Sequence, residues 1–323
     1  MARYHCILAI AILLFPPAHA ADWKPERGVE IVVGTGPGGG QDKTARTLQR
    51  ILQERQLIGT PATVVNKPGG GGSVGWSYLS QRGGDGHVLE IGNTTLLTNQ
   101  LTGRAAVGYT DLTPIAMLLS ETVALSVRAD SPIRSGKDLL ERLRQDAGSV
   151  SLSVGSSLGG VNHIAVALIA RAAGGDPRRL KTVVFQGGGE AMTALLGGHI
   201  DLVSSAANNV LPHLAAGRLR VIGIASPSRL AGALASVPTW KELGADAVAT
   251  NWRMVVGGKG LSSAQVAYWE GVLGKLTETG EWKKDLEAND LEPMYLTGEA
   301  LRRYLRGQES EFRAALAELE MLR

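Results

Sequence analysis

Two short stretches carry residue types at spacings that could do chemistry. In Gly34-Thr35-Gly36-Pro37-Gly38-Gly39-Gly40-Gln41-Asp42-Lys43, residues Gly34, Gly36 and Gly39 keep the G-x-G-x-x-G spacing of dinucleotide loops, and Lys43-Thr44 is similar to the end of a phosphate-binding loop. In Gly155-Ser156-Ser157-Leu158-Gly159 the spacing is G-x-S-x-G, at which a serine nucleophile sits on a sharp strand-to-helix turn. The first pattern would cradle a nucleotide; the second would run acyl transfer.

Context argues against both. A dinucleotide loop wants an acidic residue at the end of the second strand, yet ATVVN ends in Asn66, and Glu54 falls within the first helix. A phosphate loop wants Gly directly before Lys, and here Asp42 presents negative charge instead. What remains is a helix N-terminus at Gly38 to Gln41, with free N–H groups and the positive end of the dipole, a small-anion site whose natural guest is a carboxylate. The plainer alternative is a turn whose glycines only permit tight packing. Asp42 could act in the site or simply cap its own helix. In the serine stretch, Gly159, Gly160 and Val161 lengthen the loop beyond a nucleophile elbow, and no His-Gly-Gly motif lies upstream. His199, in the turn GGHID, and His213, after Pro212, are nominal bases near Asp201 but read as surface histidines. His163 is the histidine expected in a cleft, where it either fixes the loop or touches the ligand. With no H-E-x-x-H, no cysteine pair and no dense acidic and histidine cluster, no metal site and no cofactor are expected.

The elements that must position these loops alternate. VEIVVG, ATVVN, HVLEIGN, SVSLSVGS, KTVVF, IDLVSSA and LRVIGIA are short apolar or β-branched runs separated by helical patterns, which predicts an α/β protein with parallel sheets covered on both faces. The 42 glycines suit many tight strand-to-helix turns. Ligands of open α/β sheets sit at the carboxyl ends of the strands. Five polar loops fall there: Gly34 to Asp42, Asn93-Thr94-Thr95, Gly155 to His163, Gln186 to Glu190 and Ser204 to Asn209. The run TPIAMLLSETVALSVRA, broken by Ser120 and Glu121, is long enough to leave one sheet and enter another, and Leu219 to Ala225 could carry the chain back. Two domains are expected, one of residues 21–123 plus 228–323 and one of residues 124–227, with a hinge between them. The first twenty residues, with Arg3, the apolar CILAIAILLF and Ala18-His19-Ala20, read as a signal peptide cleaved near Ala20, so the expected location is the periplasm. Cys6, the single cysteine, lies inside that segment. The basic residues are scattered without an aromatic-laced stripe, which disfavours nucleic acid.

An ordered set of motifs carries a resemblance. Pro37-Gly38-Gly39-Gly40-Gln41-Asp42-Lys43-Thr44-Ala45-Arg46 nearly meets P-x-G-G-x-x-D-x-x-A-R, and VVNKPGGGGSVG, GDGHVL, ALLGGHIDLV, LPHLAAGRLRVI and SVPTWKELG follow. In this order they resemble the extracytoplasmic solute receptors of tripartite tricarboxylate transporters, the Bug family, over almost the whole chain. The resemblance implies a type II periplasmic-binding-protein fold, two α/β domains joined by crossing hinge strands and closing on a small carboxylate that is passed to a membrane permease. It also implies a monomer that is not an enzyme. By position, the ligand grip falls on Thr35, Gly36, Gly38, Gly39, Gly40, Gln41 and Asp42 and on Ser156, Ser157, Asn162 and His163. The neighbouring loops add Asn93, Thr94, Gly188, Gly189 and Ser205. Two departures stand out: Ser205-Ala206-Ala207-Asn208 where many members have an acid or amide and then proline, and Trp252-Arg253-Met254-Val255 where many have Trp-Phe-Gly-Leu. Arg253 would either pair with a second carboxylate, favouring a di- or tricarboxylate, or sit in a surface or interdomain salt bridge. A ligand-presenting sensor for a membrane histidine kinase and a secreted serine hydrolase are the alternative functions.

Overall fold

The structure, a computed structural model, describes residues 23–155 and 157–323; the expected signal peptide and Ser156 lie outside the described residues. The chain starts with β1 (Val29–Val33), α1 (Gly40–Glu54), β2 (Ala62–Asn66), α2 (Ser73–Ser80), β3 (Val88–Gly92) and α3 (Thr95–Leu101). Helix α1 buries Ala45, Leu48, Ile51 and Leu52, a spacing of three and four that puts one apolar face on the sheet. Strands β1 and β3 are almost entirely buried, as expected of β-branched runs covered on both faces. The long strand β4 (Thr113–Arg128) follows, then α4 (Gly136–Gln145), β5 (Ser151–Ser153), α5 (Val161–Ala172), β6 (Lys181–Val183), α6 (Gly188–Leu196), β7 (Leu202–Ala206), α7 (Ala207–Ala215) and β8 (Leu219–Ile224). The chain ends with β9 (Thr250–Gly257), α8 (Ser263–Thr277), α9 (Gly280–Ala288), β10 (Glu292–Thr297) and α10 (Gly298–Glu318).

The strands form one curled sheet in the order β2-β1-β3-β9-β4-β7-β5-β6, with β8 and β10 also on β4. Strand β4 is the shared spine. Its first part, from Thr113 to Thr122, pairs with β9 and β10, and from Val123 onward it pairs with β7 and β8. Two lobes therefore meet near residues 122–123. The parallel arrangement expected from the alternation holds for β1 with β2 and β3, and for β5 with β6 and β7. Every pairing of β4 and β9 is antiparallel, so the sheet is mixed.

The run Leu219 to Ala225 does not carry the chain back. Strand β8 stays in the second lobe, beside Ala124–Arg128, and residues 226–249 remain there too, with Leu234 and Val237 packed among Val203 and Val210. The return comes at residues 249–250, where the Ala249 N–H donates to the Ala225 carbonyl and the Ala225 N–H to the Val123 carbonyl. An apolar β-branched run reads the same whether it stays in a sheet or leaves it, which is why β8 resembled a crossing.

Each face of the sheet is covered. Leu48, Ile51, Trp269 and Trp282 fill one side of the first lobe. Trp76, Leu96 and Leu316 fill the other, in a cluster that continues into the second lobe through Leu139, Leu152 and Ile164. Truncating one such residue, Leu48→Ala, would cost about 2–5 kcal/mol. The two lobes are thus rigid supports for the loops between them.

Candidate functional site

The loops at the carboxyl ends of the strands converge on a cavity of about 60 Å³ between the lobes. The first lobe supplies Thr35, Gly39, Gly40, Gln41, Asn93, Glu121, Asn251 and Arg253; the second supplies Asn162, Gly188, Ser204, Ser205 and Asn209 among others. On this measure a water takes about 10–15 Å³, so the space suits a solute of a few heavy atoms and excludes a dinucleotide.

Four helices begin on this cavity, and none has a side-chain cap. Their N-caps are Gly39 for α1, Gly160 for α5, Gly187 for α6 and Ala206 for α7. Of the other helices, α4, α8 and α9 are capped by the hydroxyls of Ser135, Ser262 and Thr279, and α2, α3 and α10 also lack a side-chain cap. The first N–H groups of a helix have no partner within it, so four uncapped ends bring unpaired donors and the positive ends of four dipoles to one point. Buried polar atoms without a protein partner add to this: Thr35 Oγ1, Asn162 Oδ1 and Asn209 Oδ1 all belong to cavity-lining residues. Each such atom costs about 1–3 kcal/mol unless something fills the gap.

The glycine loop is tied down around this cavity. Gly38 takes φ +81°, a left-handed conformation that favours glycine. At Gly40 a Cβ would stand 2.6 Å from Arg253 Nη2, so a side chain there would have to push the guanidinium aside. Asp42 accepts hydrogen bonds from the Gly38 N–H at 3.0 Å, Asn66 Nδ2 at 2.9 Å and Arg46 Nε at 2.9 Å. Burial would raise its carboxyl, but the bonds from Arg46, Gly38 and Asn66 outweigh that and hold it below the ordinary value. All of its partners are internal, and Asp42 stands outside the cavity wall as the clasp of the loop.

Glu121 and Arg253 face each other across β4 and β9. Arg253 Nη2 donates to Glu121 Oε1, and Asn251 Nδ2 reaches the same oxygen at 2.7 Å. Asn251 Oδ1 in turn accepts from Thr94 Oγ1 at 2.7 Å. Glu121 and Arg253 are only 2% and 3% exposed, so each charge depends on the other. Arg253 therefore lines the cavity in a buried salt bridge within the first lobe, not in the surface or interdomain bridge that was the alternative to a ligand contact.

Of the other expected site residues, Gly36 bridges the lobes through its N–H, which donates to the Gln186 carbonyl at 2.9 Å. Ser157 Oγ donates to Asn99 Oδ1 of the first lobe at 2.5 Å and lines a side crevice with Arg104. His163 accepts from the Gly159 N–H at 3.0 Å through Nδ1 and fixes its loop. Burial, with the Arg104 charge nearby, pushes that imidazole down to about 4. Gly38 and Gly189 line a second crevice with Lys43 and His213, and Thr94 is fully buried behind Asn251. The Lys43 ammonium is pushed down by burial, against the attraction of Glu121 and Asp285. Glu121 and Asn251 were missed. The signal was present: Glu121 breaks an apolar strand, and Asn251 and Arg253 are two apart, hence on one face.

A sequence model of the tripartite tricarboxylate transporter family receptors matches residues 44–320. The chain belongs to that family. Among its relatives is protein BugT of Bordetella pertussis, 29% identical over 246 residues that cover 75% of this chain and 73% of BugT. Among solved structures, MatC of Rhodopseudomonas palustris with bound malate superimposes with a TM-score of 0.80 at 22% identity, covering 90% of this chain and 99% of MatC. Rpa4515 of R. palustris with adipate gives 0.84 at 23%, covering 92% and 98%. At such identities the two structures establish the fold, that of the two-domain periplasmic binding proteins. The family and its structural neighbours are solute-binding receptors, not enzymes.

Proposed function

We propose that this family member is an exported receptor that closes its two lobes over a small carboxylate and delivers it to a tripartite tricarboxylate-type permease. The observation that carries the reading is the convergence of four uncapped helix N-termini on one small cavity lined by residues with unpaired polar atoms. A carboxylate supplies the acceptors that the free N–H groups need and the charge that the dipoles favour. The malate and adipate held by the two neighbours are guests of that kind. The G-x-S-x-G stretch fits this reading as structure: the Ser157 hydroxyl ties the second lobe to Asn99, and its only other acceptor among the described residues is the Leu158 carbonyl.

The test is a thermal-shift screen of the purified protein against mono-, di- and tricarboxylates, amino acids and nucleotides. A ligand at 1 mM with micromolar affinity stabilises by about 4 kcal/mol, which is hard to miss. A shift confined to carboxylates supports the reading; a shift for nucleotides alone overturns it. Delivery is tested separately, by whether the loaded protein restores carboxylate uptake to vesicles containing the permease.

A further inference from the structure

The lining of the cavity contains two charged side chains, Glu121 and Arg253, and they are spent on each other unevenly. Arg253 donates to Glu121 Oε1 through Nη2 and to the Trp252 carbonyl through Nη1 at 3.1 Å. Glu121 thus balances the Arg253 charge, while the buried Arg253 Nε has no partner among the described residues. Glu121 Oε1 is saturated by Arg253 and Asn251, whereas Oε2 accepts no hydrogen bond among the described residues. That oxygen lies toward Gly40 at the N-terminus of α1, where a Cβ would stand 3.4 Å from it and 2.6 Å from Arg253 Nη2. A carboxylate acceptor thus borders the spot where the uncapped helix draws in an anion.

A ligand carboxylate held by the α1 N–H groups would lie beside this oxygen. A bare methylene there leaves Oε2 without a partner. A hydroxyl or ammonium group instead donates to it. We propose that Glu121 determines specificity, selecting small carboxylates that carry a hydrogen-bond donor beside the carboxylate over their unsubstituted counterparts. The proposal rests on the receptor reading above. It parts from the expectation that Arg253 would recruit a second carboxylate. The fold-level likeness to proteins holding malate, which has such a donor, and adipate, which has none, does not decide it.

The experiment is calorimetric titration of the purified protein with three matched series: succinate, malate and aspartate; propionate, lactate and alanine; phenylacetate, mandelate and phenylglycine. Within each series that binds, the hydroxy or amino acid is expected to bind at least tenfold tighter than the plain acid. Glu121→Gln keeps an acceptor for Asn251 but turns the cavity-side atom into a donor and leaves Arg253 without its counter-ion. That variant is expected to lose the preference and to bind the plain diacid more tightly than the parent does. Equal binding within a series by the parent protein overturns the proposal and leaves the receptor reading standing, and this comparison needs no variant to fold. An unchanged ratio in a folded Glu121→Gln protein overturns it as well. Absence of binding in all three series overturns the small-carboxylate reading on which it rests.

Discussion

The N–H of Gly36 in the first lobe donates to the carbonyl of Gln186 in the second, a 2.9 Å hydrogen bond between two backbones across the cleft. Gly187, the next residue, is so placed that a Cβ on it would stand 3.3 Å from the Gly36 carbonyl oxygen. The lobes meet here main chain to main chain, and the contact exists only while they are together. A wedge at this point should separate closure from folding. Gly187 has an extended φ of 178°, which any residue adopts, so Gly187→Val adds bulk without backbone strain. We expect unchanged circular dichroism, a larger radius of gyration by X-ray scattering in the presence of ligand, and affinity lower by tenfold or more, equivalent to about 1.4 kcal/mol. A variant that compacts on ligand as the parent does would show that the Gly36 contact is incidental.

Thr35 and Asn209 line the cavity with oxygen atoms that have no partner among the described residues. Residues kept for a ligand and residues kept for stability respond oppositely to truncation. Thr35→Val, which removes only the hydroxyl, should leave the melting temperature of the free protein unchanged or higher. The same change should weaken ligand binding by roughly tenfold, the equivalent of one lost hydrogen bond. Asn209→Leu should behave in the same way. Melting curves with and without ligand read both quantities at once, and a loss of stability in the free protein at unchanged affinity would place these side chains in the scaffold instead.

The loop from Gly34 to Lys43 was readable because its chemistry is local: a strand, a glycine turn and a helix start are consecutive, and Asp42 rules out a phosphate loop within the same ten residues. The role of Glu121 was not local. Opposite it stands Asn251, 130 residues later, and that pairing follows from the antiparallel register of β4 with β9, which short-range patterns do not encode. Arg253 could be assigned to the cleft by motif position, but the choice between ligand and salt bridge waited on the same register. Likewise Ser157 matched a nucleophile spacing, while its actual partner, Asn99, comes from the other lobe. Local signals gave the elements and the glycine loop at the start of α1; long-range pairing decided which side chains face the cavity.

His163 makes the second-lobe loop sensitive to acid. Its imidazole is held down to about 4 in the folded protein, chiefly by burial, against 6.5 ordinarily. As the pH falls below 6.5 the unfolded chain takes up a proton that the native state refuses until about pH 4. Unfolding then binds a proton, so this contribution to stability is intact above pH 6.5 and is lost on the way down to pH 4, by about 3 kcal/mol. His163→Asn retains an acceptor for the Gly159 N–H but does not titrate. The stability difference between parent and variant, from urea unfolding at several pH values, should change by that amount between pH 7 and pH 4. Parallel curves would mean that His163 titrates in the folded protein as it does in the unfolded chain.

Glu90 has the opposite sign. It lies on β3, fully buried, with both carboxylate oxygens unpaired; a Cβ on Gly34 would come within 3.2 Å of Oε1 and one on Gly75 within 2.6 Å. Burial without a partner raises its carboxyl well above 4.5, so the folded protein keeps a proton that the unfolded chain releases. Its contribution to stability is therefore full below pH 4.5 and declines as the pH rises. Glu90→Gln, which cannot ionise, should match the parent most closely near pH 4 and gain on it steadily toward pH 8. A relative gain of about 2 °C or more in melting temperature is expected there, since 1 kcal/mol corresponds to roughly 2–4 °C in chains somewhat smaller than this. A difference that stays constant from pH 4 to pH 8 would show that Glu90 is ionised and solvated. Because Glu90 packs against Gly34 at the root of the ligand loop, ligand affinity of the parent should fall over the same rise in pH, and that of the variant should not.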